Sequence, residues 1–159
     1  MKKLVVMSDN HGDEEMLFYV RENEQDADYY IHCGDSETAR TENLRGYICV
    51  KGNNDWHLDL PNEAFITVED VNIMITHGQY LGYFNRELAM NDILTQNDCQ
   101  LLLCGHTHMP MFMEDGELTY INPGSTSLPR GGSRPSYAIV TIDGKKIDCE
   151  FKIIKKRLA

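Results

Sequence analysis

Asp9 with His11, Asp35, Asn53, His77, and His106 with His108 each follow closely on an apolar run, and all seven side chains can bind a metal cation. Their donor atoms are carboxylate or amide oxygens and imidazole nitrogens, which suit divalent first-row cations. Seven donors exceed the needs of one four-coordinate zinc. They suit two ions ~3.5–4 Å apart that share a carboxylate, as in two-metal hydrolytic sites. Asp35 is the expected bridge. Taken singly, each residue has an ordinary explanation, because Asp after a strand caps helices or forms turns and His occurs on surfaces and in cores. Jointly that explanation fails, since four of the six histidines (His11, His77, His106 and His108) cluster at such termini beside glycine, where the chain turns sharply. The alternate positions in Asp9-Asn10-His11 and His106-Thr107-His108 point both members of each pair the same way if the backbone stays extended.

Such donors meet only if the runs before them are strands whose ends converge on one crevice, as in open α/β sheets. Leu4 to Met7 reads as a buried parallel strand, and Asp13 offers an N-cap for a helix through about Glu24 with Met16, Leu17 and Val20 at helical spacing. Tyr29 to Ile31 and Tyr47 to Val50 repeat the strand-then-glycine pattern. Phe65 to Val68 and Ile73 to Thr76, flanking Glu69-Asp70-Val71-Asn72, predict an antiparallel hairpin, then a helix from Arg86 to Leu94 and a strand from Leu101 to Cys104. Met111 to Met113 with Leu118 to Ile121 bracket Glu114-Asp115-Gly116, and Tyr137 to Ile142 with Ile147 to Ile154 bracket Asp143-Gly144-Lys145, giving two more hairpins. Pro123 to Pro135 reads as a structured surface loop. The expected class is α/β, a mixed β-sheet sandwich flanked by helices.

A chain of 159 residues with no repeat or linker is expected to fold as one domain. The net charge of -10 argues against long nucleic acid or an anionic membrane as partner, so an anionic substrate must be attracted locally. No run approaches the ~20 apolar residues of a membrane span, and the apolar N-terminal run meets Ser8 and Asp9 too early for a signal peptide, which leads to a cytoplasmic expectation. Five cysteines without a CxxC pair argue against a disulfide framework or structural zinc, and Cys33 and Cys104 read as buried thiols.

Ser8-Asp9-Asn10-His11-Gly12, Gly34-Asp35, Gly52-Asn53-Asn54-Asp55, Thr76-His77-Gly78 and Gly105-His106-Thr107-His108 resemble the ordered motifs of the calcineurin-like metallophosphoesterases. Within them, Asn122-Pro123-Gly124-Ser125 resembles a segment of the small single-domain bacterial and archaeal phosphodiesterases. The resemblance implies one ion on Asp9, His11, Asp35 and His108, a second on Asp35, Asn53, His77 and His106, and a bridging water or hydroxide that attacks phosphorus. It also implies a small phosphodiester substrate, with manganese first among the candidate metals and iron, zinc or nickel as alternatives.

This chain departs from many superfamily members at Asn54, where they carry a His that assists the leaving group. Asn54 donates a hydrogen bond but no proton, so activity should favour diesters with good leaving groups; acid catalysis contributes roughly 10²–10⁴-fold. Asn54 joins Asp55, expected to orient the Asn53 loop, and Arg130, whose guanidinium matches a phosphate, in the catalytic set. Arg134 is a second phosphate candidate, plain surface charge is the equal alternative for both arginines, and His57 reads as an exposed loop residue outside that set. Trp56, Tyr80, Tyr83 and Phe84 offer an apolar rim for a nucleobase or aryl group, or else pack in the core or an interface, and Lys155-Lys156-Arg157 reads as a solvated tail. The competing reading is a scaffold like the retromer subunit of similar fold, and a homodimer is compatible with either; a nuclease reading lacks a basic track.

Overall fold

The computed structural model describes residues 1–155. The chain runs β1 (Lys2–Met7), α1 (Glu15–Asn23), β2 (Tyr29–His32), β3 (Tyr47–Cys49), β4 (Glu63–Val68), β5 (Val71–Thr76) and α2 (Arg86–Gln96). It continues through β6 (Leu101–Leu103), β7 (Pro110–Asp115), β8 (Leu118–Pro123), β9 (Ser136–Asp143) and β10 (Lys146–Ile153). The strands form two five-stranded mixed sheets, ordered β10-β9-β1-β2-β3 and β4-β5-β6-β8-β7.

Alternation along the strands assembles the layers, because successive side chains leave opposite faces of a sheet. Leu4 and Val6 of β1 join Ile73, Ile75, Leu101, Leu103 and Val140 in a core between the sheets. Val5 and Met7 turn the other way and pack with Met16, Leu17 and Val20 of α1. On the second sheet Met74 and Leu102 pack outward against Met90 and Leu94 of α2. Each such burial removes apolar area worth about 1.5–3 kcal/mol per large side chain. The sandwich flanked by helices is therefore the expected architecture, with α1 outside one sheet and α2 outside the other.

Topology then aims the strand ends. β1, β2 and β3 run parallel, as do β5, β6 and β8, so the loops after each trio leave from one end of their sheet. These loops carry the predicted ligands.

Three local expectations change. The helix starts at Glu15 with Glu14 in the cap position, and the Glu14 side chain makes no capping hydrogen bond. The Glu14 carboxylate instead accepts hydrogen bonds from Thr38 Oγ1 at 2.7 Å and Ala39 N at 2.8 Å, a tertiary contact. The three hairpin turns are shorter or shifted, since Val68 pairs Val71, Asp115 pairs Leu118 and Asp143 pairs Lys146, each leaving a two-residue loop. Of the expected surface loop Pro123 to Pro135, Pro123 to Thr126 is buried, while the rest is exposed or half-buried as expected. Lys155 is exposed, while Lys156 and Arg157 of the basic tail lie outside the described residues.

Candidate metal centre

Asp9, His11, Asp35, His106 and His108 all adopt the left-handed backbone region, with φ between 44° and 75°. The extended backbone expected for the Asp9–His11 and His106–His108 pairs is thus absent, and a chain of left-handed turns aims these side chains instead. Positive φ at non-glycine residues costs energy and gathers at functional sites. Two close approaches complete the turns. A Cβ on Gly52 would sit 2.1 Å from Asp35 Oδ1, and one on Gly105 would sit 2.1 Å from Ser8 Oγ and 2.5 Å from Asp9 Oδ2. Only glycine lets the neighbouring loops close on the two carboxylates.

The donors converge. Asp9 Oδ1 faces His108 Nε2 at 3.2 Å, His11 Nε2 at 3.5 Å and His77 Nε2 at 3.8 Å. Asp35 Oδ2 lies 3.3 Å from His77 Nε2 and 3.8 Å from His11 Nε2. His11 Nε2 is 3.1 Å from His108 Nε2, and His106 Nδ1 is 3.3 Å from His77 Nε2. Two groups able to hold an ion stand out, Asp9-His11-His108 and Asp9-Asp35-His77. Asp9 is common to both, while the expected bridge Asp35 reaches His11 and His77 through one oxygen.

Backbone carbonyls fix which nitrogen two of the imidazoles turn toward the cluster. His77 Nδ1 donates to the Cys33 carbonyl at 2.8 Å and His108 Nδ1 donates to the Leu128 carbonyl at 2.7 Å. In the neutral rings each Nε2 then carries a lone pair aimed at carboxylate oxygen, the arrangement by which neighbouring carbonyls orient metal-binding histidines. Asp9 Oδ1 is buried without a hydrogen bond. Acceptors facing acceptors out of water require cations or protons between them, so the donor set fits divalent metal.

Electrostatics in the metal-free chain agree. Burial pushes the Asp9 carboxyl up, but His108, His11 and His77 outweigh it and bring it far below the ordinary range. Burial likewise pushes the Asp35 carboxyl up, but His77 and Asn54 outweigh it and bring it below the ordinary range. His77 is raised because Asp35 and Asp9 overcome its burial, and His11 is raised by Asp9 against burial. His106 is lowered by burial, then by His77 and Arg86.

A polar shell holds the ligands. Asp55, fully buried, accepts from Asp35 N at 2.7 Å, Gly52 N at 2.8 Å and Glu37 N at 2.9 Å, tying the loops after β2 and β3 together. Asn54 donates from its backbone N to Asp35 Oδ1 at 2.9 Å and from Nδ2 to Oδ2 at 3.0 Å. Both residues touch Asp35 or its loop and so position it. Asn53 lies exposed on the same turn and Arg130 is exposed on the loop after β8; among the described residues neither side chain is hydrogen-bonded or ion-paired. Arg130 N does donate to the His108 carbonyl at 3.2 Å. Arg134 is exposed, and His57 donates from Nε2 to the Thr38 carbonyl at 3.0 Å.

Several supporting residues escaped sequence reading. Glu37 contacts His11 Nδ1, leaving Nε2 for the cluster. Ser125 Oγ donates to the Asp9 carbonyl at 2.7 Å, and Asn122 Nδ2 donates to the Gly105 carbonyl and Thr107 Oγ1, each at 3.0 Å. His32, fully buried, donates from Nε2 to Asn10 Oδ1 at 2.7 Å and accepts from Gly34 N at 3.0 Å, joining the loops after β1 and β2. The Asn122-Pro123-Gly124-Ser125 motif signalled two of these; nothing local signalled Glu37.

Comparisons with known proteins identify the family. Residues 1–145 match the family model of the calcineurin-like phosphoesterase superfamily domain. The chain is 33% identical over 150 residues to the probable metallophosphoesterase YsnB of Bacillus subtilis, covering 93% of this chain and 89% of that one. It is 32% identical over 143 residues to the phosphodiesterase MJ0936 of Methanocaldococcus jannaschii, covering 77% and 82% respectively. Among solved structures, a predicted phosphoesterase from Streptococcus pneumoniae superposes with a TM-score of 0.87 at 29% identity, over 99% of this chain and 94% of that one. Vps29 of Entamoeba histolytica, complexed with Zn²⁺, superposes with a TM-score of 0.73 at 22% identity over 94% and 98%, a likeness of fold alone.

Proposed function

Because the chain belongs to the calcineurin-like phosphoesterase superfamily, we propose that it is a metal-dependent phosphodiesterase that holds two divalent cations and hydrolyses small phosphodiesters. The observation that carries this reading is the buried, unbonded Asp9 Oδ1 ringed by imidazole nitrogens. One ion is assigned to Asp9, His11, Asp35 and His108, and the other to Asp35, Asn53, His77 and His106. When bound, such ions acidify a water to a nucleophile near neutral pH and polarise the phosphoryl oxygens. Manganese is the first candidate, with iron, zinc or nickel as alternatives that this donor set equally accepts.

The chain's own residues do the rest by positioning. The Cys33 and Leu128 carbonyls fix which nitrogen His77 and His108 present, and Glu37 does so for His11. Asp55 and Asn54 hold the Asp35 loop and carboxylate. Asn54 supplies no proton to a leaving group, which supports diesters with good leaving groups over monoesters. Arg130 is assigned the substrate phosphate, supported by its loop's tie to His108. With a net charge of -10, the ions themselves are the local attraction for an anionic substrate.

Metal binding alone does not separate this reading from a scaffold, since Vps29 of similar fold also complexes Zn²⁺. Turnover does. Metal-stripped protein resupplied with manganese is expected to cleave a bis-aryl phosphodiester faster than the aryl monoester. No turnover with manganese, iron, zinc or nickel, or turnover indifferent to stripping, overturns the proposal.

A further inference from the structure

His77 is followed by a loop, residues 78–85, that leads into α2 and carries Tyr80, Tyr83 and Phe84 at 89%, 63% and 94% exposure. Three large aromatic side chains in solvent on a single loop make an apolar patch of the kind that marks binding sites. The loop is nonetheless built. Arg86, in the first turn of α2, donates from Nη1 to the Gly78 carbonyl at 3.2 Å and the Gly82 carbonyl at 2.7 Å. Leu81 N closes the turn onto the Gly78 carbonyl at 3.2 Å, and the Leu81 side chain packs against the core under α2. Tyr83 is the member joined to the metal centre. Its ring centroid is 5.7 Å from that of His106 at 37°, and the Arg86 guanidinium carbon is 5.8 Å from its centre.

We infer that Tyr83, held by Arg86 beside His106, is the stacking platform of an aromatic subsite that takes the nucleobase or aryl ring of the substrate. The inference rests on the proposed phosphodiesterase reading and specifies its substrate class. Cations held at His77 and His106 would bind a phosphate on the side of the cluster where Tyr83 meets His106, so phosphate and platform would read one ligand together. A small aromatic ester fits better than a polynucleotide, because this acidic chain shows no basic track along which a backbone would run. Stacking accepts any base, since every base offers a π face, so the subsite separates aromatic from alkyl esters without choosing among bases.

The test is calorimetric and needs no turnover. Manganese-loaded protein is titrated with adenosine 5′-monophosphate and, separately, with inorganic phosphate, which lacks the ring. Wild-type protein is expected to bind the nucleotide more tightly than phosphate. Tyr83→Ala should weaken the nucleotide about tenfold while leaving phosphate unchanged, and Tyr83→Phe should keep both affinities. Tyr83 is mostly exposed, so the substitution spares the fold. If phosphate binds and Tyr83→Ala leaves the nucleotide's affinity unchanged, or weakens both ligands equally, the subsite is wrong and the metal centre stands. If neither ligand binds the loaded wild type, the phosphodiesterase reading falls and the subsite with it. A dimer that Tyr83→Ala dissociates with no change in nucleotide affinity identifies the patch as a contact between copies and overturns the inference.

Discussion

Ile73, Leu101 and Ala138 in the inter-sheet core and Asp9, Asp35 and His77 at its rim are equally shut off from solvent, all at 1% exposure or less. The core residues sit in paired strands, where alternation sends each to its layer. The rim follows other rules: left-handed turns at Asp9 and Asp35, glycines pressed against carboxylates, and lone pairs facing lone pairs. Burial stabilises the first set by removing apolar area from water, whereas for the second it is a cost that partners must offset. The sandwich is thus the source of stability, and it carries a strained polar rim whose unmet demand is for cations.

Substitutions in the two regions should therefore fail differently. The largest effect is expected at the rim. Asp35→Asn should lower manganese-dependent diester turnover by more than about 100-fold, beyond what losing a residue that merely supports a ligand costs, with the far-ultraviolet circular dichroism unchanged. Near wild-type turnover would break the distinction. In the core, Ile73→Ala should cost about 2–5 kcal/mol in denaturant unfolding while kcat per folded molecule stays the same.

The third contrast is in pH. Burial lowers the imidazole of His32 from 6.5 to about 4, so the folded chain keeps it neutral where the unfolded chain protonates it. Its contribution, about 3 kcal/mol, is full above pH 6.5 and is lost as pH falls toward 4. His11 and His77 are shifted the opposite way, so their contribution is full below 6.5 and is lost only as pH rises. Stability of the metal-free chain should accordingly fall between pH 6.5 and 5, and less so in His32→Gln. His106, also lowered, adds the same sign in both proteins, so the difference between them isolates His32.

Much of this was legible in the sequence, for physical reasons that differ by residue. Leu4 to Met7 and Leu101 to Leu103 announced themselves as strands because they are apolar on both faces, and the polar residues after them marked the ligand loops. His77 and His108, singled out by type and place, lie in the cluster around Asp9. The route by which the ligands converge was not legible, because left-handed φ at Asp9 and His11 is imposed by neighbours such as Gly34 and Asp35, whose carbonyls accept from those two amides. Glu37 acts on a residue 26 positions away, a separation that no local pattern encodes. The cap position falls on Glu14 rather than on Asp13, and the Glu14 carboxylate is engaged by Thr38, 24 residues on.

The central claim is that this rim is a two-cation site completed by displacing protons. The direct measurement is calorimetric titration of metal-stripped protein with manganese near neutral pH, in buffers of different ionisation enthalpy. The account predicts two ions per chain and net proton release, because His11 and His77 are raised in the metal-free state and must be neutral to bind metal. Binding of one ion or none, or binding without proton release, would contradict it.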